Sequence, residues 1–343
     1  MSYQIGLDTI QLKSTPRLAH TEYCSNHALI RNVTGEDEHW LTPKFCAAWE
    51  IDFYFYTNDG PVPWSERGRT TDMGHADFLE GGIDRRQPAH CPFTDAEEVL
   101  AFDAVREYGL PDFADLAAFY ERTYQETQRR FPEVVVPGGY YKTIISGAIE
   151  SFGWDMLLLG AAEPDRFERV LDSFYRLTLH HMRAWAATTA PVIIQHDDFV
   201  WSEGPFMNPE FYRRVIIPRY RELWKPLHEA GKRVLFCSDA NWTCFVDDIA
   251  EAGADGFIFE PMVSLDDVVR HHGRSKVIVG SKVDARTLTF GTRDQIRAEI
   301  DATLELAFDC PGFMFAVGNH IPSNVPVENA EFYFEYLRSN WKR

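Results

Sequence analysis

The second half of the chain repeats one pattern five times: a short run of β-branched and aromatic residues, then an amphipathic stretch. The five runs are residues 191–198, 233–239, 256–261, 276–284 and 312–320. The stretches after them begin at Asp, Ser or Pro and often end at Gly, as helices do. Because each helix must cross from one strand to the next, this order predicts a parallel sheet. The chain is therefore expected to adopt an α/β fold.

Each of the five predicted strands ends in polar residues: His196-Asp197-Asp198, Cys237-Ser238-Asp239, Glu260, Ser281-Lys282-Asp284 and Asn319-His320. In a (β/α)8 barrel the carboxyl ends of all strands form the rim of the active site, whereas a doubly wound sheet binds ligands mainly at one switch point. Polar ends on five consecutive strands therefore favour the barrel.

The first half supplies three more predicted strands, at 17–24, 50–58 and 133–139. Helices are predicted between them and after them, at 36–48, 94–106, 111–130 and 142–186. Three strands and five strands make eight. We therefore predict that residues 1–343 form a single (β/α)8 TIM-barrel domain.

Composition excludes several classes of function. The chain of 343 residues has 34 basic and 52 acidic residues, for a net charge of −18, which disfavours nonspecific binding to nucleic acid or to anionic membranes. The sequence has no apolar run of bilayer-spanning length and no N-terminal signal pattern. Six scattered cysteines are typical of reduced thiols, so we expect a cytoplasmic protein.

One segment, 59–94, has neither helical nor strand periodicity. A long irregular loop after a barrel strand is often a lid over the site. The segment contains aromatic and basic residues that could contact a ligand, among them Trp64, His75, Arg67, Arg69, Arg85 and Arg86. We predict a lid in which Trp64 contacts the substrate. A solvated loop, or a contact within a homodimer, stays open as an alternative.

Several segments resemble the uroporphyrinogen decarboxylase superfamily, which contains haem-pathway decarboxylases and methyltransferases that serve corrinoid proteins. The similar segments are VPGGYYKTIISGAIESFGW at 136–154, DDFVWSEGPFMNPEFYRRVIIPRY at 197–220, HEAGKRVLFCSDAN at 228–241, EAGADGFIFEP at 251–261, VIVGSKVDARTLTFGTRDQI at 277–296 and GFMFAVGNHIPSNVPVENAEFY at 312–333. The resemblance implies a (β/α)8 barrel, in agreement with the strand count.

The decarboxylases of that superfamily carry an arginine-rich element after the first strand, which grips an acidic porphyrinogen. The corresponding segment here reads HTEYCSN, 20–26, and has no arginine. Asp59 lies near the position of the family's second-strand aspartate. The missing arginines and the acidic rim predict that uroporphyrinogen is not the substrate.

The methyltransferase branch implies a zinc site, with a His-x-Cys pair after the fifth strand and a third ligand after the eighth. Cys237 and Asp239 stand at that pair, and residues i and i+2 of a strand share a face. We predict a metal bound by some of Cys237, Asp239, Glu260 and His320. A mixed sulfur, oxygen and nitrogen set favours zinc over magnesium or calcium. For each residue a structural role is the alternative, such as a buried thiol or a turn cap.

Other residues are candidates for proton transfer and substrate binding. His196, Asp198 and Asp59 are candidate catalytic residues, with Asp197 or Asp198 alternatively anchoring the loop that follows. Tyr140 and Tyr141 follow Gly138-Gly139 and are candidates for the pocket wall, although one of them is expected to pack in the core. Lys282 is a candidate anion anchor, with a surface ion pair as its alternative.

These features lead to one predicted function and two alternatives. The prediction is methyl transfer between a small O-, N- or S-methylated compound and a corrinoid carried by a partner protein, assisted by zinc. The first alternative is a decarboxylase of another carboxylated compound, which uses Asp59. The second is a non-catalytic barrel that docks a partner, which the dense polar rim disfavours.

Overall fold

A computed structural model describes residues 2–71 and 90–343, together with the backbone of a two-stranded antiparallel ribbon, Asp77–Phe78 with Asp84–Arg85. Eight parallel strands form the central sheet. They are β1 Ala19–Glu22, β2 Phe53–Tyr54, β3 Gly138–Tyr140, β4 Val192–His196, β5 Arg233–Ser238, β6 Gly256–Phe259, β7 Val277–Val279 and β8 Phe313–Phe315. All eight overlap predicted strands, although β3 shares only Gly138 and Gly139 with the predicted strand 133–139.

The strand order is β2-β1-β8-β7-β6-β5-β4-β3, and every ladder is parallel. The two outer strands of this order meet through an isolated parallel bridge between Phe53 and Val135. The Tyr54 N–H donates to the Val135 carbonyl at 2.9 Å, and the Asn58 N–H donates to the Gly139 carbonyl at 3.0 Å. These bonds close the sheet, which confirms the predicted (β/α)8 barrel.

Helices surround the barrel and connect its strands. The helices are α1 Ser2–Ile10, α2 His27–Thr34, α3 Pro43–Ala48, α4 Ala96–Leu100, α5 Ala104–Tyr108, α6 Phe113–Arg130, α7 Ile144–Ala161, α8 Pro164–Ala186, α9 Pro209–Phe211, α10 Ile217–Glu229, α11 Val246–Ala252, α12 Leu265–His272, α13 Ala285–Phe290, α14 Arg293–Ala307 and α15 Val327–Asn340. A π-helical turn, Tyr212–Ile216, joins α9 to α10. The predicted helical stretch 142–186 is divided at Ala162 and Glu163 into α7 and α8, with Pro164 in the first turn of α8.

Helix α1 was not predicted, and it packs at the end of the barrel where the strands begin. Its side chains Tyr3, Ile5 and Leu7 pack against the inner core of the barrel, which contains Val135 and Leu235. This arrangement needs a glycine in the helix, because a Cβ on Gly6 would collide with the carbonyl group of Asp52. Helix α1 therefore closes the barrel opposite the strand ends.

Helix α7 is apolar enough to cross a membrane by length and composition, with a hydropathy of 1.2 over 18 residues. Its residues are 61% buried inside the protein, and its contacts are chiefly with α8 and α4. It is therefore a core helix of the barrel wall. The six cysteines are free thiols, as the sequence predicted.

Candidate functional site

A cavity of about 590 Å³ opens where the barrel strands end. Its lining comes from both halves of the chain. The lining residues are Thr21, Glu22, Tyr23, Glu38, Trp40, Leu41, Tyr54, Phe55, Tyr56, Thr57, Asp59, Arg130, Tyr141, His196, Asp198, Cys237, Ser238, Asp239, Ile258, Phe259, Glu260, Val279, Ala316, Val317, Asn319 and His320. This is the rim at which barrel enzymes carry out their chemistry.

The end of β4 sends alternate side chains in opposite directions, as an extended chain must. His196 and Asp198 line the cavity, and the His196 Nε2 lies 3.0 Å from the Asp198 Oδ1. Asp197 instead points into the protein. Its Oδ1 accepts hydrogen bonds from the first N–H groups of α7, at 2.9 Å from Ile145 and 2.6 Å from Ser146. Asp197 is therefore the structural anchor and Asp198 is the residue of the site.

The end of β5 brings Cys237 and Asp239 to the same cavity, as their i, i+2 spacing predicted. Asp239 joins His196 and Asp198 in a group whose ligand atoms all lie within 4.8 Å of one another. We call these three residues the triad. One imidazole nitrogen and two carboxylate oxygens at this separation form a candidate site for a divalent metal.

The triad differs from the predicted ligand set. Of Cys237, Asp239, Glu260 and His320, only Asp239 belongs to it, although all four line the cavity. The Cys237 thiol interacts with His196 from the neighbouring strand. The Glu260 carboxylate accepts a hydrogen bond from the Ala240 N–H at 2.6 Å. His196 of β4 was predicted as a catalytic residue and supplies the nitrogen atom of the triad.

Asn319 links two of the acidic side chains across the rim. Its amide nitrogen donates to the Glu260 Oε1 at 2.9 Å and to the Asp239 Oδ2 at 3.3 Å, while its oxygen contacts His320. Asn319 has a φ of 66°, a left-handed conformation that asparagine tolerates better than most residues. This backbone geometry directs the amide towards the two carboxylates.

Burial and neighbouring charges shift the pKa values of the titratable groups of the site in different directions. Burial alone would raise the pKa of Asp198, but His196 and hydrogen bonds from Asp239 N–H and Tyr141 lower it to about 2. Burial disfavours the charged form of His196, yet its interactions with Cys237 and Asp198 raise the pKa of the imidazole well above its usual value. Burial raises the pKa of Cys237, of Glu260 and of Asp59. The site therefore stabilises the ionised form of Asp198.

Tyr140 and Tyr141 have separate roles. The Tyr141 hydroxyl donates to the Asp198 Oδ2 at 3.0 Å, and its ring lies 4.5 Å from that of His196. Tyr140 is fully buried and stacks on His181, with ring centroids 4.4 Å apart, outside the cavity. Asp59 lines the cavity, and its Oδ1 accepts a hydrogen bond from the Tyr141 N–H at 2.9 Å. Of the two tyrosines, only Tyr141 is in position to contact a substrate.

Two predicted substrate contacts lie elsewhere. Trp64 is 2% exposed and stacks on Tyr108 with ring centroids 4.2 Å apart, so it belongs to the core rather than to the cavity wall. Lys282 lies outside the cavity lining, and its Nζ pairs with the Asp266 Oδ2 at 2.8 Å. Trp64 and Lys282 were predicted to contact the substrate. Core packing accounts for Trp64 instead, and a surface ion pair accounts for Lys282.

The predicted lid can be placed only in part. Residues 59–71 leave the rim after Asp59 and run along α5, where Arg67 donates to the Tyr108 carbonyl and Arg69 pairs with Glu107 at 3.0 Å. The side chains of His75, Arg85 and Arg86 lie outside the described residues. Covering of the cavity by 59–94 therefore stays a prediction.

The sequence analysis missed the part of the site that comes from the first two strands. Glu22, at the end of β1, lines the cavity and is 1% exposed. It accepts hydrogen bonds from the Tyr333 hydroxyl and from the Val317 N–H, and it lies 3.0 Å from the His20 Nε2. The sequence did contain a signal for Glu22. This residue lies in HTEYCSN, 20–26, the segment at which the related decarboxylases carry their arginine-rich element.

A set of aromatic rings forms the side of the cavity near β1 and β2. The Tyr23 ring stacks on Trp40 at 5.7 Å and contacts Phe55 at 5.5 Å, and Phe55 in turn lies 6.2 Å from the ring of His196. We call Tyr23, Trp40 and Phe55 the aromatic wall. Trp40 is 51% exposed at the outer edge of this wall. The wall thus runs from the solvent to the triad.

Comparison with known proteins fits this arrangement. The family model described as uroporphyrinogen decarboxylase (URO-D) matches residues 146–339. Uroporphyrinogen decarboxylases of Carboxydothermus hydrogenoformans and Syntrophotalea carbinolica are each 26% identical, over 174 and 170 residues. These alignments cover 51% and 49% of this chain, and 48% and 47% of the relatives. The chain thus matches about half the length of these curated relatives.

A solved structure of a methyltransferase from Methanosarcina mazei has the same fold, with a TM-score of 0.66. The superposition covers 98% of both chains, at 17% sequence identity. The family match spans more than half of the chain and includes most of α7 and the strands β4–β8, of which β4 and β5 carry the triad. On this evidence the chain belongs to the uroporphyrinogen decarboxylase family.

Proposed function

We propose that this protein is a methyltransferase that moves a methyl group between a small methylated compound and a corrinoid carried by a separate protein. The observation that carries the proposal is the triad of His196, Asp198 and Asp239 at the inner end of a 590 Å³ cavity. A barrel enzyme that activates a heteroatom needs a Lewis acid beside a space for the substrate. The triad and the cavity supply those two elements.

The donor atoms of the triad fit a divalent metal. One ligand atom from each of the three residues lies within 4.8 Å of the other two, which is close enough for a shared ion. Three protein ligands leave positions for a substrate, as in catalytic sites. Imidazole favours a transition metal over magnesium or calcium. We therefore propose zinc, although the Cys237 sulfur that was part of the predicted ligand set lies outside the triad.

When bound, such a metal would polarise the oxygen, nitrogen or sulfur atom that carries the methyl group. The residues around the triad fix its geometry. Tyr141 donates to the second oxygen of Asp198, and Asn319 holds the second oxygen of Asp239. Partners of this kind orient ligands and tune their affinity for the metal. That His196 or Asp198 also moves a proton stays a prediction.

The charge of the cavity supports a substrate other than uroporphyrinogen. Six carboxylates line it: Glu22, Glu38, Asp59, Asp198, Asp239 and Glu260. Among the described lining residues, Arg130 is the single lysine or arginine. A porphyrinogen with many carboxylates would be repelled by this lining unless several fixed cations offset it. The solved structure of the same fold from Methanosarcina mazei is named a methyltransferase, which supports methyl transfer as the proposed reaction.

A decarboxylase that acts on another compound is the second candidate. Asp59 favours it, since the carboxyl group lines the cavity and burial raises its pKa, which suits a group that donates a proton. The curated relatives are also decarboxylases by name. The free cysteines suit the cytoplasm as the compartment for either reaction.

Elemental analysis and a spectroscopic assay test the proposal together. Protein purified without chelator is expected to contain close to one divalent metal per chain. Mixed with reduced cobalamin and a panel of methylated donors, it is expected to change the cobalamin spectrum on methylation. Lys282→Ala, which alters an ion pair outside the cavity, is the control and should match the native protein.

Two results would contradict the proposal: absence of metal, or no methylation of cobalamin with any donor in the panel. Anaerobic assays with carboxylated compounds then become the decisive experiment for the second candidate. Release of carbon dioxide that is lost in Asp59→Asn would establish the decarboxylase instead.

A further inference from the structure

Three of the six carboxylates that line the cavity, all outside the triad, accept hydrogen bonds from the protein itself. Glu22 accepts hydrogen bonds from Tyr333 and Val317, Asp59 from Tyr141, and Glu260 from Ala240 and Asn319. Asp198 and Asp239 belong to the triad. A hydrogen-bonded carboxylate has fewer free lone pairs for a ligand. The surface left for the body of a substrate is therefore mainly the aromatic wall.

The aromatic wall has the geometry of a stacking surface. Tyr23 and Trp40 lie with their planes 28° apart and their centroids 5.7 Å apart, and Phe55 continues the wall inward. Phe55 and Tyr23 are half-buried, so part of each ring is open to the cavity. Flat π-systems gain from offset-stacked or edge-to-face contact beyond the area they bury. A planar ring is the ligand shape that uses this wall best.

The wall ends at the triad, because Phe55 contacts His196. A ring held by Tyr23 and Phe55 would place a substituent of one or two atoms towards the metal position. We infer that the methyl donor is an aryl methyl ether, with its ring on the aromatic wall and its ether oxygen towards the triad. This inference rests on the proposed methyl transfer and names its substrate class.

The chemistry agrees with that choice. The O–CH3 bond breaks with its electron pair left on oxygen, and the methyl group passes to the reduced corrinoid, which supplies the electron pair of the new bond. The phenolate formed then takes up a proton as it leaves. Phenols have a pKa near 10, far below that of aliphatic alcohols, so an aryl oxygen is the better leaving group. Positive charge at the triad would stabilise the same oxygen.

The charge of the lining sets a second requirement. Among the described lining residues, six are Asp or Glu, and Arg130 is the single lysine or arginine. A carboxylate on the aryl ring would therefore be repelled even where the ring itself fits. The preferred donors are expected to be neutral.

Binding of matched ethers to the protein as purified tests the inference without any corrinoid. Methoxybenzene and methoxycyclohexane have nearly the same size and the same ether group, but only the first has a π-system. By ligand-detected NMR titration, methoxybenzene is expected to bind at least about fivefold more tightly. Tyr23→Leu should remove this preference, and Tyr23→Phe, which keeps the ring, should retain it.

A second pair tests the charge requirement. We expect 4-methoxybenzyl alcohol to bind at least about tenfold more tightly than 4-methoxybenzoate. Equal or tighter binding of methoxycyclohexane, a preference that survives Tyr23→Leu, or tighter binding of the benzoate would each overturn the inference. Such results leave metal binding and methylation of cobalamin from other donors intact. They are thus distinguishable from failure of the proposed function, in which metal or methylation is absent altogether.

Discussion

The two sides of the cavity are built on different physical principles. On the β4–β5 side, hydrogen bonds from Tyr141 and Asn319 hold Asp198 and Asp239, and His196 pairs with Asp198. On the β1–β2 side, the aromatic wall is held by ring contacts between 5.5 and 5.7 Å. Hydrogen bonds fix an atom to within a few tenths of an ångström, whereas ring packing tolerates shifts. The first side suits a reacting atom and the second suits the body of a substrate.

The largest effect expected from this division concerns two adjacent aspartates. Asp198→Asn removes a charged ligand of the triad, so metal affinity is expected to fall by at least about 100-fold, more than when an orienting partner is lost. The free energy of unfolding should fall by about 1–2 kcal/mol, because the amide keeps one acceptor oxygen but cannot serve both the Asp239 N–H and the Tyr141 hydroxyl. A chelator competition assay and denaturant unfolding measure the two quantities.

Asp197→Ala is the matched variant and should show the reverse. It deprives the Ile145 and Ser146 N–H groups and the Tyr220 hydroxyl of their buried acceptor. Unfolding is expected to become easier by about 2–4 kcal/mol, with metal affinity nearly unchanged. If both variants lost metal, or both lost stability alike, the separation between site and anchor would be wrong.

An intermediate effect is expected at Asn319. Asn319→Gly keeps the left-handed backbone and removes the amide that holds Asp239 and Glu260. The dissociation constant for the metal is expected to rise about tenfold, as measured by competition with a chelating dye. Ala240→Gly is the control, since Ala240 is also left-handed, with a φ of 68°, and contributes only its N–H. An equal loss of affinity in both variants would assign the effect to the backbone.

The smallest effect is expected on the aromatic wall. Trp40→Ala removes a ring that is 51% exposed, so stability should change by no more than about 0.5 kcal/mol. KM for an accepted donor should rise about two- to fivefold with kcat unchanged, because the ring contributes binding and no chemistry. Trp201→Ala, at an exposed tryptophan outside the cavity lining, should leave KM unaltered. A fall in kcat for Trp40→Ala would contradict the assignment of binding to the aromatic wall and of chemistry to the triad.

The sequence predicted the barrel because the strand–helix period is a local signal. Each strand of the second half is apolar and ends in polar residues. This pattern can be recognised in the sequence without knowledge of tertiary contacts. Helix α1 has no such repeat beside it. Its role at the base of the barrel depends on contacts with Asp52 and Val135, which are distant in sequence.

The sequence placed residues at the cavity where polar side chains follow a strand, as at Glu260 and His320. The spacings of His196 with Asp198 and of Cys237 with Asp239 placed all four at the cavity. Which of them combine across strands is set by the β4–β5 register, in which His196 lies opposite Cys237. The aromatic wall was missed because its residues come from separate segments, and an aromatic residue near a strand end looks like core.

The closure of the barrel also bears on how this protein could change over evolutionary time. Five residue pairs join β4 to β5, whereas two join β1 to β2 and one bridge joins β2 to β3. The triad stands on the strands with the longest ladder, and Phe55 follows the strand with the shortest. Substitutions near β2 therefore disturb few backbone hydrogen bonds. A lineage could acquire new substrates on that side while the reaction centre on β4 and β5 is inherited unaltered.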